Sequence, residues 1–292
     1  MTVYNLGSIN ADYVYQVPHL PAPGETIGAG SLTTGLGGKG ANQSVAAARA
    51  GSAVVHIGAV GPDGDWAVRQ LGDFGVVTNQ IATVDGPSGH AIINVAADGE
   101  NNIVTLAGAN HAQDMARVEA ALATAEAGDV LLLQNETTLV VEAAQRARSL
   151  GLTVIYSAAP FDLDAARKML FLTDILILNE VEATQLSAGL DTDLTELPMG
   201  EIVVTKGAAG VSWYDPKGKA SLEMPAFSVE PLDTTGAGDT FAGTFAALRD
   251  QGADARAALR VALAAAAVQV TRLGAAEAIP TRAEVDLFLA RT

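Results

Sequence analysis

The chain has 292 residues, 49% of them hydrophobic, which is enough for one large α/β domain or two small ones. Its 33 acidic residues against 17 basic ones give a net charge of −16, which argues against nucleic-acid and anionic-membrane partners. The absence of cysteine excludes disulfides, thiolate catalysis and cysteine-ligated zinc. The first residues have no basic flank and no run is long enough to span a membrane, so we expect a cytoplasmic protein.

Short apolar runs alternate with helical patterns along most of the chain. Such runs are typical of strands buried on both faces, and the alternation predicts right-handed crossovers. The fold class is therefore α/β, a mostly parallel central sheet with helices on both faces, with ligands beyond the carboxyl ends of the strands. The predicted strands are Val3–Leu6, Val54–Ile57, Val130–Leu133, Thr153–Tyr156, Ile175–Leu178 and Ile202–Thr205. The predicted helices are 41–50, 113–126, 139–150, 164–171, 239–250, 254–271 and 281–290.

Two stretches interrupt this alternation. Residues 10–37 are rich in Gly, Pro and Thr, and residues 88–106 contain two extended segments joined by an Asp-Gly pair, which favours a hairpin. We predict that both stretches form a small β-sheet lid that closes over a ligand and excludes water, with an ordinary surface hairpin as the alternative. The large domain would then consist of 1–9, 38–87 and 107–292.

A glycine-rich segment, Gly35-Leu36-Gly37-Gly38-Lys39-Gly40, fits the Gly-x-Gly-x-x-Gly pattern of dinucleotide sites. The residues before it form a poor buried strand, and no acidic residue follows Val54–Ile57 to hold a ribose hydroxyl, so an NAD-dependent dehydrogenase is disfavoured. Lys39 is followed by Gly40 rather than Ser or Thr, so the segment is not a P-loop. The glycines would instead expose backbone to a small polar molecule, and Asn42 can donate and accept as a sugar hydroxyl requires.

Polar side chains also follow two predicted strands near the start and middle of the chain. Asn10 and Asp12 lie two residues apart in an extended segment and point to the same side. Together they could hold two adjacent hydroxyls, or they could make a turn. Glu136 follows Val130–Leu133 and would reach the ligand edge of the sheet.

Two further segments each have two interpretations. Asn179 and Glu182 have the spacing of a helix cap with a back-bonding glutamate, or they organise hydrated Mg²⁺ and phosphate. Residues 202–211 read as a strand, a glycine-rich turn and a second strand. This is either a plain hairpin or a loop whose amides, with the Thr205 hydroxyl, contact a nucleotide.

The segment 233–239, Asp-Thr-Thr-Gly-Ala-Gly-Asp, is the most informative in the chain. Gly236, Ala237 and Gly238 are small and precede a helix, so their amides make a site for an anion. Asp239 adds a carboxylate that could take a hydroxyl proton while the amides hold phosphoryl charge. A helix-capping aspartate is the alternative.

With these motifs the chain resembles the ribokinase-like sugar and nucleoside kinases. The resemblance implies an ATP-dependent phosphotransferase acting on an alcohol group, the 5-hydroxyl of ribose, with another sugar or a nucleoside (deoxyribose, adenosine, pseudouridine) as the alternative. It also implies a homodimer paired through the lid. The matching segments keep the family's order: Gly-Ser-Ile-Asn-Ala-Asp (7–12), Pro-Ala-Pro-Gly-Glu-Thr (21–26), Gly-Gly-Lys-Gly-Ala-Asn-Gln (37–43), Ala-Gly-Ala-Asn (107–110), Asn-Glu-Val-Glu-Ala (179–183), Val-Thr-Lys-Gly-Ala-Ala-Gly-Val (204–211) and Asp-Thr-Thr-Gly-Ala-Gly-Asp-Thr-Phe (233–241).

The resemblance also implies roles for individual residues. Asp239 would be the catalytic base and the amides of Gly236, Ala237 and Gly238 the anion hole. The sugar would be held by Asp239 together with Asn10, Asp12, Gly38, Lys39, Asn42 and Glu136. ATP would contact Asn179, Glu182, Thr205, Lys206, Gly207, Gly210 and Gly238, with Glu182 reaching Mg²⁺ through water. A monovalent cation, usually K⁺, would lie on mainly backbone oxygens of Asp233, Thr235, Val270, Leu273, Ala275 and Ala278.

The chain departs from the family pattern at two positions. Leu263 stands where related enzymes often place a polar residue beside adenine, and Ala278 offers no side-chain oxygen to a cation. The low aromatic content, 5%, favours a free sugar over a nucleoside, which needs a surface for its base. A non-catalytic sugar- or nucleotide-binding regulator is disfavoured because the anion hole and Asp239 are both intact.

Overall fold

The computed structural model describes all 292 residues, which form thirteen strands and nine α-helices. The strands are β1 (Thr2–Leu6), β2 (Asn10–Val17), β3 (Ser31–Gly37), β4 (Ala53–Val60), β5 (Val77–Thr83), β6 (Gly89–Ala96), β7 (Asn101–Leu106), β8 (Val130–Leu133), β9 (Thr153–Ser157), β10 (Ile175–Asn179), β11 (Glu201–Thr205), β12 (Val211–Asp215) and β13 (Ala220–Met224). The helices are α1 (Lys39–Arg49), α2 (Asp65–Asp73), α3 (Met115–Leu122), α4 (Val140–Leu150), α5 (Leu163–Met169), α6 (Glu180–Leu190), α7 (Ala237–Asp250), α8 (Ala255–Gln269) and α9 (Arg282–Leu289).

Nine strands form the central sheet, in the order β13-β12-β11-β10-β9-β8-β1-β4-β5. Every neighbouring pair from β11 to β5 is parallel, and only the pairs β11–β12 and β12–β13, at one edge, are antiparallel. The predicted fold class is confirmed, and all six predicted buried strands are present. The prediction omitted β5, β13 and α2; β5 is a half-exposed edge strand without the continuous apolar run that marks the central ones.

The sheet is buried on both faces, as the apolar runs predict. In β8, Val130 and Leu132 belong to the core on one face, while Leu131 and Leu133 belong to the core on the other. Residues of α1, α2, α7 and α8 complete the first core, and residues of α3, α4, α5 and α6 complete the second. Successive side chains of a strand point to opposite faces, so a wholly apolar strand requires helices on both sides.

A second sheet of four strands has the order β3-β2-β6-β7 and falls within residues 10–37 and 88–106. β6 and β7 form the predicted antiparallel hairpin, and Gly99 in its turn has a φ of 88°, which only glycine adopts freely. By register, Asn10 and Asp12 share one face of this sheet, and Tyr13 shares the opposite face with Ile92 and Val104. The division into a large domain and a lid stays a prediction.

Two helices meet closely beside the ligand edge of the central sheet. A Cβ at Gly243 of α7 would lie 2.2 Å from the Gln43 carbonyl oxygen of α1, so only glycine permits this approach. A Cβ at Gly40 would lie 2.4 Å from the Gly7 Cα, which seats the start of α1 against the end of β1. The first contact packs the start of α1 against α7, and the second seats it at the end of β1. Among the nine helices, none has the length and apolarity that a bilayer crossing requires.

Candidate active site

Asp239 lies in the first turn of α7, directly after Gly236, Ala237 and Gly238. Gly236 is the N-cap, with a φ of 75°, and no side chain caps the helix, so the alternative of a capping aspartate is wrong. The Asp239 carboxylate instead accepts two amide donors from α1. Asn42 Nδ2 donates to Oδ2 at 3.1 Å and Gln43 Nε2 donates to Oδ1 at 2.9 Å. These donors fix the carboxylate at the point where two helix N-termini converge.

The backbone amides beside Asp239 are available to an anion. The N–H groups of Gly236 and Gly238 have no partner within the protein, as expected for the first turn of a helix. The Ala237 N–H, in contrast, donates to the Thr234 carbonyl at 3.2 Å. The predicted anion hole therefore has two free amides among its three residues, and the Asp239 N–H, also free, adds another.

One lysine, Lys39, offsets part of the negative charge around Asp239. Burial raises the pKa of Asp239 above its ordinary value, although Lys39 and the two amide donors act in the opposite direction. Burial acts to lower the pKa of Lys39, but the carboxylates of Asp239, Glu136 and Glu182 outweigh it and raise that pKa. Lys39 is thus a fully charged ammonium among three carboxylates, in a position to accept a further anion.

The residues predicted to bind the sugar lie on the side of Asp239 where Lys39 and Asn42 are found. Asn10 Oδ1 accepts from Asn110 Nδ2 at 2.7 Å, and this bond leaves the Asn10 Nδ2 group free to donate. Asn42 Oδ1 is buried without any partner, which is costly unless a ligand hydroxyl donates to it. Glu136 Oε2 accepts from the Ser8 hydroxyl and from the Lys39 N–H at 3.0 Å, so this carboxylate also holds the loop before α1.

Among these residues, Asp12 differs in that its carboxylate accepts no hydrogen bond from the protein. It lies over Gly37, where a Cβ would come within 2.1 Å of Oδ2, so a larger residue at this position of β3 would displace the carboxylate. Burial, with repulsion from Glu136 and Glu277, raises the pKa of Asp12 to about 6. An ionised carboxylate kept half-buried without donors is well suited to accept hydroxyl hydrogens from a ligand.

On the other side of Asp239 a cavity of 430 Å³ opens beyond the anion hole. It runs from Gly238 at the start of α7 to the β11–β12 turn at Thr205 and Gly207. Its walls are mostly apolar, and Leu263 is one of the lining residues. A cavity of this size and character, with an anion site at one end, suits a nucleotide whose phosphates face Asp239.

The β11–β12 turn is a hairpin that also borders the cavity. Gly210 has a φ of 108°, and a Cβ there would lie 2.0 Å from the Met224 carbonyl oxygen. The Thr205 hydroxyl donates to the Leu178 carbonyl at 3.3 Å. Lys206 is not one of the residues lining the cavity, and its ammonium pairs with Glu223 at 3.1 Å. The predicted contact of Lys206 with ATP stays a prediction, which this position of its ammonium does not favour.

The pair Asn179 and Glu182 forms the capping box that its spacing predicts. Asn179 Oδ1 accepts from the Glu182 N–H at 2.9 Å, and Glu182 Oε2 accepts from the Asn179 N–H at 2.8 Å. Glu182 Oε1 remains free and is near enough to Lys39 to raise its pKa. The cap therefore accounts for the spacing and leaves one oxygen that could reach hydrated Mg²⁺.

The residues predicted around a monovalent cation also come together. Asp233 accepts from the Thr235 N–H at 2.9 Å and from the Gly274 N–H at 3.0 Å, and so joins two loops lined by carbonyl oxygens. Such oxygens are the donors that K⁺ takes in proteins. The Val270 carbonyl, however, already accepts the N–H groups of Leu232 at 2.7 Å and Asp233 at 3.1 Å. With both lone pairs in use, Val270 does not fit the predicted ligand set, whereas Asp233, Thr235, Leu273, Ala275 and Ala278 remain compatible with it.

Comparison with known proteins identifies the family. Residues 2–282 match the model of the pfkB family carbohydrate kinases. The chain belongs to this family. It is accordingly a phosphotransferase that acts on a sugar hydroxyl. The chain is similar to the ribokinase of Haemophilus influenzae, with 39% identity over 99% of this chain and 98% of that one, and to the ribokinase of Bacillus subtilis, with 36% identity over 97% and 98%.

A solved structure shows the same likeness in three dimensions. Arabidopsis thaliana ribokinase complexed with ribose and ATP has a TM-score of 0.86 and 29% identity, covering 99% of this kinase and 98% of that protein. The NAD-dependent dehydrogenase and the non-catalytic regulator are therefore excluded as alternatives. The assignments of individual site residues stay predictions that rest on the geometry of this kinase.

Sequence reasoning missed polar residues that hold the site from behind. Gln43, within the 37–43 motif, supports Asp239, and Asn110, within the 107–110 motif, supports Asn10. The available signal was a polar side chain inside an otherwise Ala- and Val-rich helix, Ala41–Ala50. Gln134, after β8, gave no signal, because a glutamine at a strand end is equally common on a surface.

Proposed function

We propose that this kinase transfers the γ-phosphoryl group of ATP to the 5-hydroxyl of D-ribose, giving D-ribose 5-phosphate and ADP. The observation that carries the proposal is the position of the Asp239 carboxylate. It lies between free helix-N-terminal amides on the nucleotide side and three unsatisfied polar groups, on Asn10, Asp12 and Asn42, on the acceptor side. The likeness to ribokinases over nearly the full chain supports ribose as the acceptor.

The phosphoryl transfer follows from these groups. Asp239 accepts the proton of the sugar hydroxyl as that oxygen forms its bond to the γ-phosphorus. The bond from the γ-phosphorus to the bridging oxygen breaks, and ADP leaves with that electron pair. The amides of Gly236 and Gly238 and the Lys39 ammonium hold the negative charge on the phosphoryl oxygens. Each donor is in place before the substrate arrives, so little reorganisation is needed.

Acceptor binding uses the polar groups that have no internal partner. Asp12 and Asn42 Oδ1 accept hydroxyl hydrogens, and Asn10 Nδ2 donates to a hydroxyl oxygen. Glu136 keeps Lys39 and the glycine-rich loop against the end of β1, and it leaves Oε1 for the sugar. A site of this kind favours a free polyol, because each hydroxyl satisfies a polar group that has no full set of partners within the protein.

The nucleotide is held mainly by shape. The phosphates lie at Gly238 and the base lies in the apolar part of the cavity near Leu263. Glu182 Oε1 would hold Mg²⁺ through water, and that ion supplies charge neutralisation for the phosphates. Oxygens of Asp233, Thr235, Leu273, Ala275 and Ala278 would hold K⁺, which adds positive charge beside the anion hole.

The small sheet acts as a lid and pairs two subunits in this proposal. Its face opposite Asp12 exposes a contiguous group of apolar side chains, with Val104 64% and Leu32 50% exposed. A second copy of the chain would cover this face, since a patch of this kind on a lone subunit is an association site. Sedimentation of the wild type and of Val104→Asp measures this: the variant should be a monomer where the wild type is a dimer.

The experiment that tests the function is ADP release with MgATP and K⁺ across ribose, deoxyribose, fructose, adenosine and pseudouridine. We expect kcat/KM for ribose to be at least about tenfold above the others, since each missing hydroxyl leaves a polar partner unpaired. Turnover of a nucleoside but not of ribose would contradict the acceptor assignment. Such a result would leave the assignment of Asp239 intact.

A further inference from the structure

A chain of buried polar side chains leads away from Asp239 into the core. Its members are Gln43, Gln134, Asn5, Ser44 and His56, and each is at most 1% exposed. They come from α1, β1, β4 and the end of β8, in a region otherwise filled by apolar side chains. Buried amides and imidazoles contribute less to stability than apolar groups of the same shape, so a chain of five needs another reason.

The donor directions in this chain are fixed at the end nearest Asp239. Gln43 Nε2 donates to Asp239 Oδ1 at 2.9 Å, and Gln43 Oε1 accepts from Gln134 Nε2 at 2.8 Å. A flipped Gln43 would direct its oxygen at a carboxylate and its nitrogen at another amino group. Gln134 Nε2 uses its second hydrogen on Asn5 Oδ1 at 2.9 Å, so the Gln134 amide is fixed as well.

The far end of the chain is equally determined. Asn5 Nδ2 donates to the Gly40 carbonyl and to Ser44 Oγ, both at 2.8 Å, and the Ser44 hydroxyl donates to His56 Nδ1 at 2.8 Å. Burial lowers the pKa of His56 to about 4, so its ring is neutral and its Nε2–H donates to the Gly7 carbonyl at 3.2 Å. The chain therefore ends on two backbone carbonyls that cannot rotate.

One member of the chain is left incompletely satisfied. Gln134 Oε1 is buried without a donor and lies against Gly7, where a Cβ would come within 2.8 Å of it. An unsatisfied acceptor of this kind costs stability. The unpaired acceptor belongs to the same residue, Gln134, whose Nε2 group donates to both Gln43 and Asn5. The two donated hydrogen bonds are therefore made although the Gln134 oxygen has no donor.

We propose that Gln43 is a positioning residue for Asp239, and that Gln134, Asn5, Ser44 and His56 hold the Gln43 amide in the orientation that donates to that carboxylate. Asn42 binds the other carboxylate oxygen from the acceptor side, so the two amides fix the carboxylate plane from both sides. This inference rests on the proposed function, in which Asp239 is the base. A rotated carboxylate would present the wrong lone pair to the sugar hydroxyl.

The test is Gln43→Met, which removes the donor and keeps a side chain of similar length. We expect kcat to fall roughly 10²-fold, the size of effect that misplacing a reacting group produces, with KM for sugar and nucleotide changed less than about twofold. The rise of kcat with pH should move to higher pH, because the Gln43 hydrogen bond lowers the pKa of Asp239. Lys39, Asn42 and Glu136 also face that carboxylate and are unchanged in the variant.

Two variants separate positioning from folding. Gln43→Asn keeps the amide but withdraws it by one methylene, and should lower kcat in the same way. Thr173→Val removes a buried hydroxyl that donates to the Met169 carbonyl at 2.8 Å, before the amino end of β10, and should leave kcat and its pH profile unchanged. Wild-type kcat and pH profile in folded Gln43→Met and Gln43→Asn would overturn the role of Gln43.

Gln134→Met tests the rest of the chain. It leaves Gln43 in place without its anchor, so kcat should fall by less than in Gln43→Met while the pH profile shifts in the same direction. An unchanged profile would overturn the role of the chain. If the wild type phosphorylates an acceptor other than ribose, the ribose assignment fails while these comparisons remain valid on that acceptor. If no acceptor yields ADP, both proposals fail.

Discussion

The acceptor side and the nucleotide side of Asp239 are built from different groups. On the acceptor side, Asn10, Asp12 and Asn42 present polar atoms without internal partners, and hydrogen bonds from neighbouring side chains orient the amides of Asn10 and Asn42. On the nucleotide side, an apolar cavity of 430 Å³ meets backbone amides at Gly238. A sugar offers only hydroxyls, so it must be recognised by directed hydrogen bonds, whereas a nucleotide offers a flat base and a charged phosphate chain.

The largest effect should come from the group shared by both sides. Asp239→Asn removes the proton acceptor and should lower kcat by roughly 10²–10⁴-fold, with small changes in either KM. Steady-state kinetics with both substrates varied measure this. A thermal melt controls for folding, and unchanged turnover would show that Asp239 is not the base.

The next effect should fall on the acceptor side alone. Asp12→Asn replaces a carboxylate that has no internal donor, and should raise the sugar KM by roughly 10–100-fold, the range expected for losing a charged hydrogen-bond acceptor. The nucleotide KM should not change. Asp98→Asn, in the exposed turn of the same sheet, is the matched control. If Asp12→Asn and Asp98→Asn have the same sugar KM, Asp12 does not bind the sugar.

The pKa of Asp12 predicts how pH affects sugar affinity and the stability of the protein. Because this pKa is raised to about 6, sugar affinity should weaken as pH falls through about 6, and this dependence should be absent in Asp12→Asn. The folded state binds the proton more tightly than the unfolded state, so the carboxylate costs stability increasingly as pH rises from its ordinary pKa to about 6.

Urea unfolding of the ligand-free protein measures the same linkage. The free energy of unfolding of Asp12→Asn should rise relative to that of the wild type as pH increases from 4 to about 6, and the difference should then level off. A difference that is independent of pH over this window would contradict the assignment of the raised pKa to Asp12.

A smaller effect is expected from the nucleotide side. Leu263→Ala should raise the nucleotide KM by at most about tenfold, since it removes apolar contact with the base rather than a directed hydrogen bond. The sugar KM should remain that of the wild type. Leu287→Ala, at an exposed position of α9, is the control. A rise in the sugar KM that matches the nucleotide effect would show that the two sides are not separable.

The smallest effect should come from Lys206. Its ammonium pairs with Glu223 outside the cavity, and exposed ion pairs contribute about 0–1 kcal/mol. Lys206→Met should therefore change the nucleotide KM by less than about threefold. A loss as large as that of Leu263→Ala would restore the ATP contact that the sequence predicted and the geometry does not support.

The parts of the site predicted from sequence are those that local rules govern. Asp239, Gly236 and Gly238 belong to one short segment, and a helix start after small residues makes an anion site wherever it occurs. Asn10, Asp12 and Glu136 follow buried strands, and parallel strands deliver such residues to one edge. The capping box at Asn179 and Glu182 is likewise a local pattern, and the structure forms it.

The parts that sequence could not predict depend on contacts between distant segments. Gln43 and Asp239 are 196 residues apart, and their hydrogen bond exists because Gly243 lets α1 and α7 approach closely. The Lys206 side chain points toward β13, because Glu223 of that strand lies within hydrogen-bonding distance of its ammonium. Val270 was predicted as a cation ligand, yet Leu232 and Asp233 already use its carbonyl oxygen.

By itself, the sequence determined the α/β class and the ligand edge of the sheet, and it singled out Asp239 as the predicted base, because each follows from periodicity or from one contiguous motif. Only the tertiary structure decided which side chains hold that base and which polar atoms are left for a ligand. The physical reason is that hydrogen-bond satisfaction is a property of the whole interior, where each donor and acceptor depends on partners from other elements. A buried, unpaired oxygen such as Asn42 Oδ1 becomes visible only after every neighbour has been placed.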